Sequence, residues 1–263
     1  DYCRTGSRAA KTEHLFKLIV FNISIAYEIA KRHPERFVEH IPLLINYLDS
    51  PDPNVRGHVI SILSLIAEKD PKEVAFHIHK LVPLLNDPSD LVRARMLRLL
   101  GVVAAQDPRR ARQVVPKLSA LLDDLNDEIQ AAAAWSLGKI ADKHPEAADS
   151  AIPLLISCLD KLGPEARLSA ISILEGGAEK ELVRPAVPKL LKLLSDEVSG
   201  VKGKAALILG RLGVEEAREA LRGLLADEGT VKFPDRETTV AECARRALEE
   251  LERVVSLRDK KET

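Results

Sequence analysis

The side chains of this sequence best equipped to hold another molecule are its single tryptophan, Trp135, and a group of cations, Arg95, Arg98, Lys139, Lys204 and Arg211. An indole offers a flat face for stacking. A guanidinium or ammonium offers charge-assisted hydrogen bonds to carboxylates or phosphates. Catalytic chemistry has less support, because no phosphate loop, dinucleotide fingerprint, nucleophile elbow, zinc-binding helix or calcium loop occurs. The reading is therefore of a binding surface, with no cofactor, no catalytic residue and no evident small-molecule substrate.

Cations scattered over a hundred residues can share a surface only if the fold aligns them, and an internal repeat does so. His33-Pro34, Asp70-Pro71, Asp107-Pro108 and His144-Pro145 recur at an interval of 37 residues. Ile41-Pro42, Val115-Pro116, Ile152-Pro153 and Val187-Pro188 keep the same register, with Ile78-His79 as a variant copy. Val55-Arg56, Val92-Arg93, Ile129-Gln130, Ala166-Arg167 and Val201-Lys202 open a second segment. Each unit predicts two helices. In the first, Ile41, Leu44, Ile45 and Leu48 recur at helical spacing, and in the second Val55, Val59, Ile62 and Ile66 do so. No strand pattern is evident, and the prolines fall where one helix ends and another begins.

A pair of helices this short cannot bury its own apolar face, so the pairs must stack. The predicted fold class is all-α: a right-handed α-solenoid of six to seven two-helix repeats. Repeats are expected near 11–37, 38–74, 75–111, 112–148, 149–183, 184–217 and 218–255, after a tail at 1–10 and before a charged tail at 256–263. Residues Gly229 to Thr239 interrupt the last unit, beyond the usual connection of about 2–8 residues. They are expected to cap the stack, with a second contact site as the alternative.

These columns resemble the HEAT repeats. The proline of the first helix (Pro42, Pro116, Pro153, Pro188), the acidic turn residue (Asp49, Asp87, Asp123, Asp160, Asp196) and the Val-Arg-like pair opening the second helix carry the resemblance over roughly residues 11–255. The short period is similar to that of the compact HEAT-like repeats of phycobilin lyases. The resemblance implies that the turn aspartate and the arginine form a ladder between units, which makes Arg56, Arg93, Arg167 and Lys202 structural. It also raises HEAT-like enzymes. The iron-binding deoxyhypusine hydroxylases use His-Glu pairs, and no histidine here precedes a glutamate. The HEAT-like DNA glycosylases place a carboxylate near a groove tryptophan, but the residue one turn after Trp135 is Lys139, leaving Asp142 or Glu175. Lyase action has no distinguishing residue.

At about 100° per residue, the first, fifth, eighth and twelfth positions of the second helix face the core, and the third, seventh, tenth and fourteenth face away. The resemblance places the latter on a concave groove. The seventh column reads Ser24, Ser61, Arg98, Trp135, Ser172, Leu207 and Arg246, so the tryptophan is expected to point into the groove. Arg95 and Lys204 flank it at the fourth position and Lys139 and Arg211 at the eleventh, with Glu175 and Glu179 opposing them. The tenth column is small, with Ser64, Gly101, Gly138 and Gly210, which predicts close approach by a helix or a ligand. His40 and His77 hold equivalent places with His79 nearby. Equivalent positions lie about 10 Å apart, too far to share a metal.

Composition bounds the partner. The 263 residues carry 39 Lys+Arg against 40 Asp+Glu, a net charge of −1, which excludes a strongly basic coat. Aromatics are 3% of the chain, so aliphatic side chains must build the core. Three cysteines without paired spacing suit a reducing cytoplasm. Leu18 to Ala30 is broken by Asn22, Ser24, Tyr27 and Glu28 and falls short of a membrane span, so no membrane partner is expected. The 30% charged residues, with a single Met, match the bias of heat-adapted proteins. The expectation is a non-enzymatic scaffold or adaptor that holds a protein partner, a helix or an acidic segment, in the groove. The alternative is a nucleic-acid-binding solenoid that grips phosphates with the same cations and stacks a base on Trp135.

Overall fold

The computed structural model describes residues 22–177, 181–233 and 235–262, with side chains of the last helix described as far as residue 257. The tail at 1–10, the start of the expected first repeat, Cys3 and Glu179 lie outside the described residues. The chain divides into two compact units, one ending at Gln106 and the other beginning at Asp107.

In the first unit, α1 (Ile23–Arg32) is followed by α2 (Ile41–Asn46), α3 (Pro53–Lys69), α4 (Pro71–Ala75), α5 (Ile78–Leu81) and α6 (Asp90–Ala104). Helices α1 and α6 both pack on α3. In this unit the long helices fill the second place in each repeat and the first place is broken into short α and 3-10 pieces, whereas in the second unit the first-place helix Pro108–Ala120 runs through Pro116. Proline accounts for the breaks in the first unit. Pro42 and Pro83 each lack an N–H and crowd the preceding turn, so a helix restarts there rather than running through. Pro53 and Pro71 instead occupy first helical positions, where the missing N–H costs nothing. Asp52 and Asp70 cap them, accepting from Asn54 N at 2.8 Å and Lys72 N at 3.1 Å.

The second unit contains α7 (Pro108–Ala120), α8 (Asp127–Ala141), α9 (Pro145–Ala148), α10 (Ile152–Cys158), α11 (Pro164–Gly176), α12 (Val187–Leu193), α13 (Ser199–Leu212) and α14 (Arg218–Gly223). A hairpin of β1 (Thr230–Lys232) and β2 (Glu237–Thr239) then leads into α15 (Val240–Glu262). Helix α11 packs between α8 and α13, and α13 packs on α15. The predicted core columns are inside: Ile129, Ala133 and Ile140 on α8, Ala166, Ala170 and Ile173 on α11, and Val201, Ala205, Ile208 and Leu212 on α13. Leu137, Leu174 and Leu209 are buried as well, because each of these helices is covered by its own first segment and by a neighbouring second helix.

The expected ladder is present at three steps within the units. The Arg56 guanidinium grips Asp87 bidentately, at 2.8 Å from Nε and 2.7 Å from Nη2. Arg167 Nε lies 2.6 Å from Asp196 Oδ2, and Lys202 donates to Asp227. Burial pushes the Asp87 carboxyl up, but the hydrogen bonds from Arg56 and Ser89 N, with the charges of Arg56 and Arg93, outweigh it and hold the group below its ordinary range. The Lys202 hydrogen bond does the same for Asp227.

Two features depart from the sequence reading. The insertion contains strands, with Val231 opposite Thr238. At three residues each they are too short to show alternation, and Val231 alone among them is buried. The charged stretch expected as a tail from residue 256 continues α15 as far as Glu262. Among the described residues no helix is long and apolar enough to cross a membrane.

Candidate binding groove

The outward columns of α8 and α11, together with α13 and the hairpin, enclose a groove of about 590 Å³ within the second unit. Trp135, Gly138 and Lys139 come from α8, and Leu168, Ser169, Ser172, Glu175 and Gly176 from α11. Lys204 and Arg211 of α13 and Lys232 and Phe233 of the hairpin form the opposite wall, with Asp142 at one end. Trp135 is half-buried, and the Lys139 ammonium lies 5.4 Å from its ring centroid.

Glu175 organises the far wall. Lys204 Nζ donates to its Oε2 at 2.8 Å. Arg211 Nη1 donates to the Glu175 carbonyl at 3.1 Å, and Nη2 lies 3.7 Å from Oε1. The Lys204 ammonium also sits 4.3 Å from the centroid of Phe233. Side-chain exposure is only 8% for Lys204 and 13% for Glu175, so this is a buried pair roofed by an aromatic ring. Lys204 is thus a neutralised cation inside the wall rather than an exposed one, and Arg211 shares its carboxylate. The reason lies in the hairpin. Gly203 gives the room: a Cβ there would meet Val231 at 2.6 Å. Val231 packs with Val240 and Cys243, with Leu207 and Phe233 against them. The outward column of α13 is therefore covered, whereas those of α8 and α11 are open.

The tenth column divides in the same way. A Cβ on Gly210 would stand 2.5 Å from the Ala247 carbonyl oxygen, so that glycine admits α15. A Cβ on Gly138 would have no neighbour within 4 Å. Gly138, Asp142, Ser172 and Gly176 also line a second, adjoining cavity of about 280 Å³, whose other lining residues include Ile152, Ile173, Ala141, Ala148 and Asp149.

Of the sequence-selected residues, Trp135, Lys139, Lys204 and Arg211 share this groove, while Arg95 and Arg98 stand on α6 of the first unit. Arg98 is exposed, and the Arg95 guanidinium lies against Gly57 of α3. Phe233 and Lys232 were absent from the selection. The available signal was their place in the one insertion that breaks the repeat. Glu175 is named from the sequence as a carboxylate opposing these cations, and the structure places it in the wall with Lys204 and Arg211. Among the described residues no group of three or more His, Cys, Asp or Glu is placed to hold a metal. Cys158 and Cys243 are free and buried, and burial pushes the Cys243 thiol up to about 11.

Comparison with known proteins agrees with the fold. The crystal structure of an engineered protein matches with a TM-score of 0.64 at 23% identity, covering 81% of this chain and 96% of that one. The X-ray structure of YibA from Escherichia coli matches with a TM-score of 0.61 at 20% identity, covering 85% of each chain. A comparison with curated proteins finds no match. A family model for HEAT repeats matches residues 78–175 and 152–232, more than half of the sequence. With hairpins at the repeat's spacing and an Arg–Asp ladder within each unit, the chain is an all-α solenoid and belongs to the HEAT-repeat family.

Proposed function

We propose that this chain is a non-enzymatic scaffold or adaptor that binds a protein partner, an acidic segment or the acidic face of a helix, in the groove of its second unit. One observation carries the reading: two aromatic rings, Trp135 and Phe233, face a groove whose lining holds Lys139, Lys204, Arg211 and Lys232 against Asp142 and Glu175; with Lys204 paired to Glu175 and Lys232 to Glu237, Lys139 and Arg211 remain against Asp142, an excess of one positive charge. Aromatic and arginine side chains are the types enriched where a partner chain is held, and Trp135, Phe233 and Arg211 supply them here. At about 590 Å³ the groove accommodates several side chains rather than one. Free cysteines at 158 and 243 support a reducing, cytoplasmic setting, and the charge-rich composition supports a heat-adapted source. The repeats are taken to run from about 11 to 255.

The nucleic-acid reading rests on the same indole as a stacking platform, with Arg95, Arg98, Lys139, Lys204 and Arg211 on phosphates. It is the weaker, because Lys204 is buried on Glu175 and Arg211 shares that carboxylate. A glycosylase or lyase would need a carboxylate available to substrate. Glu175 is engaged with Lys204, which favours a wall-forming role and leaves Asp142, exposed at one end of the groove, as the carboxylate such a reading would use.

Affinity capture from the native host at 50 and 200 mM salt, with Trp135→Ala as the control, tests the reading. A protein retained by the wild type and lost from the variant is the expected result. Retention of single- or double-stranded nucleic acid at low salt, falling steeply at the higher salt, would replace it with the alternative. Equal retention by wild type and variant would remove the groove from either.

A further inference from the structure

Gly138 lies inside helix α8, where glycine is about 1 kcal/mol less favourable than alanine. Packing accounts for Gly203 and Gly210, which admit Val231 and Ala247, but not for Gly138, whose Cβ would meet nothing within 4 Å. What an added side chain would do at Gly138 is fill space: the residue lines both the groove and the adjoining cavity of about 280 Å³. That cavity is lined by Ile152, Ile173, Ala141 and Ala148 and, among charged side chains, by Asp142 and Asp149 alone, which disfavour a peptide carboxylate inside it and leave it to an apolar side chain. Its neighbour along the same helices is the groove with Lys139 and Arg211 exposed beside Trp135.

We propose that the small cavity is an anchor site for one large aliphatic side chain of an acidic peptide segment, whose carboxylates lie along the groove toward Lys139 and Arg211. The inference rests on the groove reading above and adds the sequence character of the partner: acidic residues following or preceding a leucine-sized residue at close spacing. Charge complementarity sets the acidic part, since the groove lining carries the excess of cations. Size admits the anchor, since a cavity of about 280 Å³ has room for a leucine-sized side chain against Ile152, Ile173, Ala141 and Ala148. Gly138 is one of four residues that line both.

The test uses the full chain and two fluorescein-labelled acidic nonapeptides, identical except for a central leucine or a central alanine, titrated into wild type and Gly138→Leu. The expected result is that the leucine peptide binds wild type roughly tenfold to a hundredfold more tightly than the alanine peptide, the range for burying a leucine-sized side chain. Gly138→Leu is expected to bring that difference below about twofold by filling the cavity. Equal binding of the two peptides to wild type would overturn the anchor and leave the groove reading intact. That comparison does not depend on the variant folding. Failure of both peptides to bind would overturn the groove reading and the anchor with it.

Discussion

Lys204 Nζ and Glu175 Oε2 stand 2.8 Å apart beneath the ring of Phe233, joining α13, α11 and the hairpin at one buried point. Removing one member strands the other charge. Glu175→Ala is expected to cost about 3–5 kcal/mol in denaturant unfolding, whereas Glu175→Leu combined with Lys204→Met recovers most of it, because a buried pair replaced whole leaves no stranded charge. A single-variant loss below about 1 kcal/mol would show that water reaches the pair.

The ladder makes a parallel expectation in the first unit. Arg56→Ala leaves the Asp87 carboxylate, whose side chain is 4% exposed, without its bidentate partner. A loss of about 3–5 kcal/mol is expected. Arg56→Lys recovers only part of it, since an ammonium cannot reproduce two parallel hydrogen bonds. Chemical denaturation of the three proteins decides this.

The same carboxyls set an acid limit. Asp87 and Asp227 are held below their ordinary values in the folded chain, so the folded state binds their protons less readily than the unfolded state. Their contribution is complete above the unfolded value of about 3.9 and is lost as pH falls from there through the folded values. The denaturation midpoint should be flat above pH 5 and drop below about pH 4. Asp87→Asn should be less stable at neutral pH and show a shallower drop. An unchanged slope in that variant would assign the acid sensitivity elsewhere.

Two glycines in the same helical column should respond with opposite sign. Gly138→Ala is expected to raise stability by about 0.5–1 kcal/mol, since the new methyl meets open space in a helix. Gly210→Ala is expected to lower it by about 1–3 kcal/mol, because the methyl would press on the Ala247 backbone. Thermal melts of the two variants give the signs directly.

Much of this was legible from spacing. A recurrence every 37 residues fixes the helix pairs, and counting 100° per residue puts Val201, Ala205, Ile208 and Leu212 inside, where they are. The same count turned Trp135 and Lys139 toward the groove, and it could not foresee that Lys204 would be covered. Its cover comes from Phe233, reached through a hairpin of two three-residue strands whose lone buried member, Val231, leaves no alternation to read. The first segments were also smoother on paper than in space, because helical spacing of Ile41, Leu44 and Leu48 survives the break at Pro42 between 3-10 and α turns.

The described cysteines supply a chemical check on the last repeats. Burial raises both thiols, that of Cys243 to about 11, so at pH 8 neither is appreciably a thiolate. In a Cys3→Ser/Cys158→Ser background, which leaves Cys243 alone, Ellman's reagent should find almost no reactive thiol until denaturant is added. Rapid reaction of the folded chain would show that the α13, hairpin and α15 packing opens.

Collisional quenching of Trp135, the sole tryptophan, tests the groove most directly. A half-exposed indole beside Lys139 in a lining with excess cations should be quenched several-fold more strongly by iodide than by caesium, and added salt should narrow the gap. Quenching by neither ion, or stronger quenching by caesium, would contradict an open, positively charged groove at this residue.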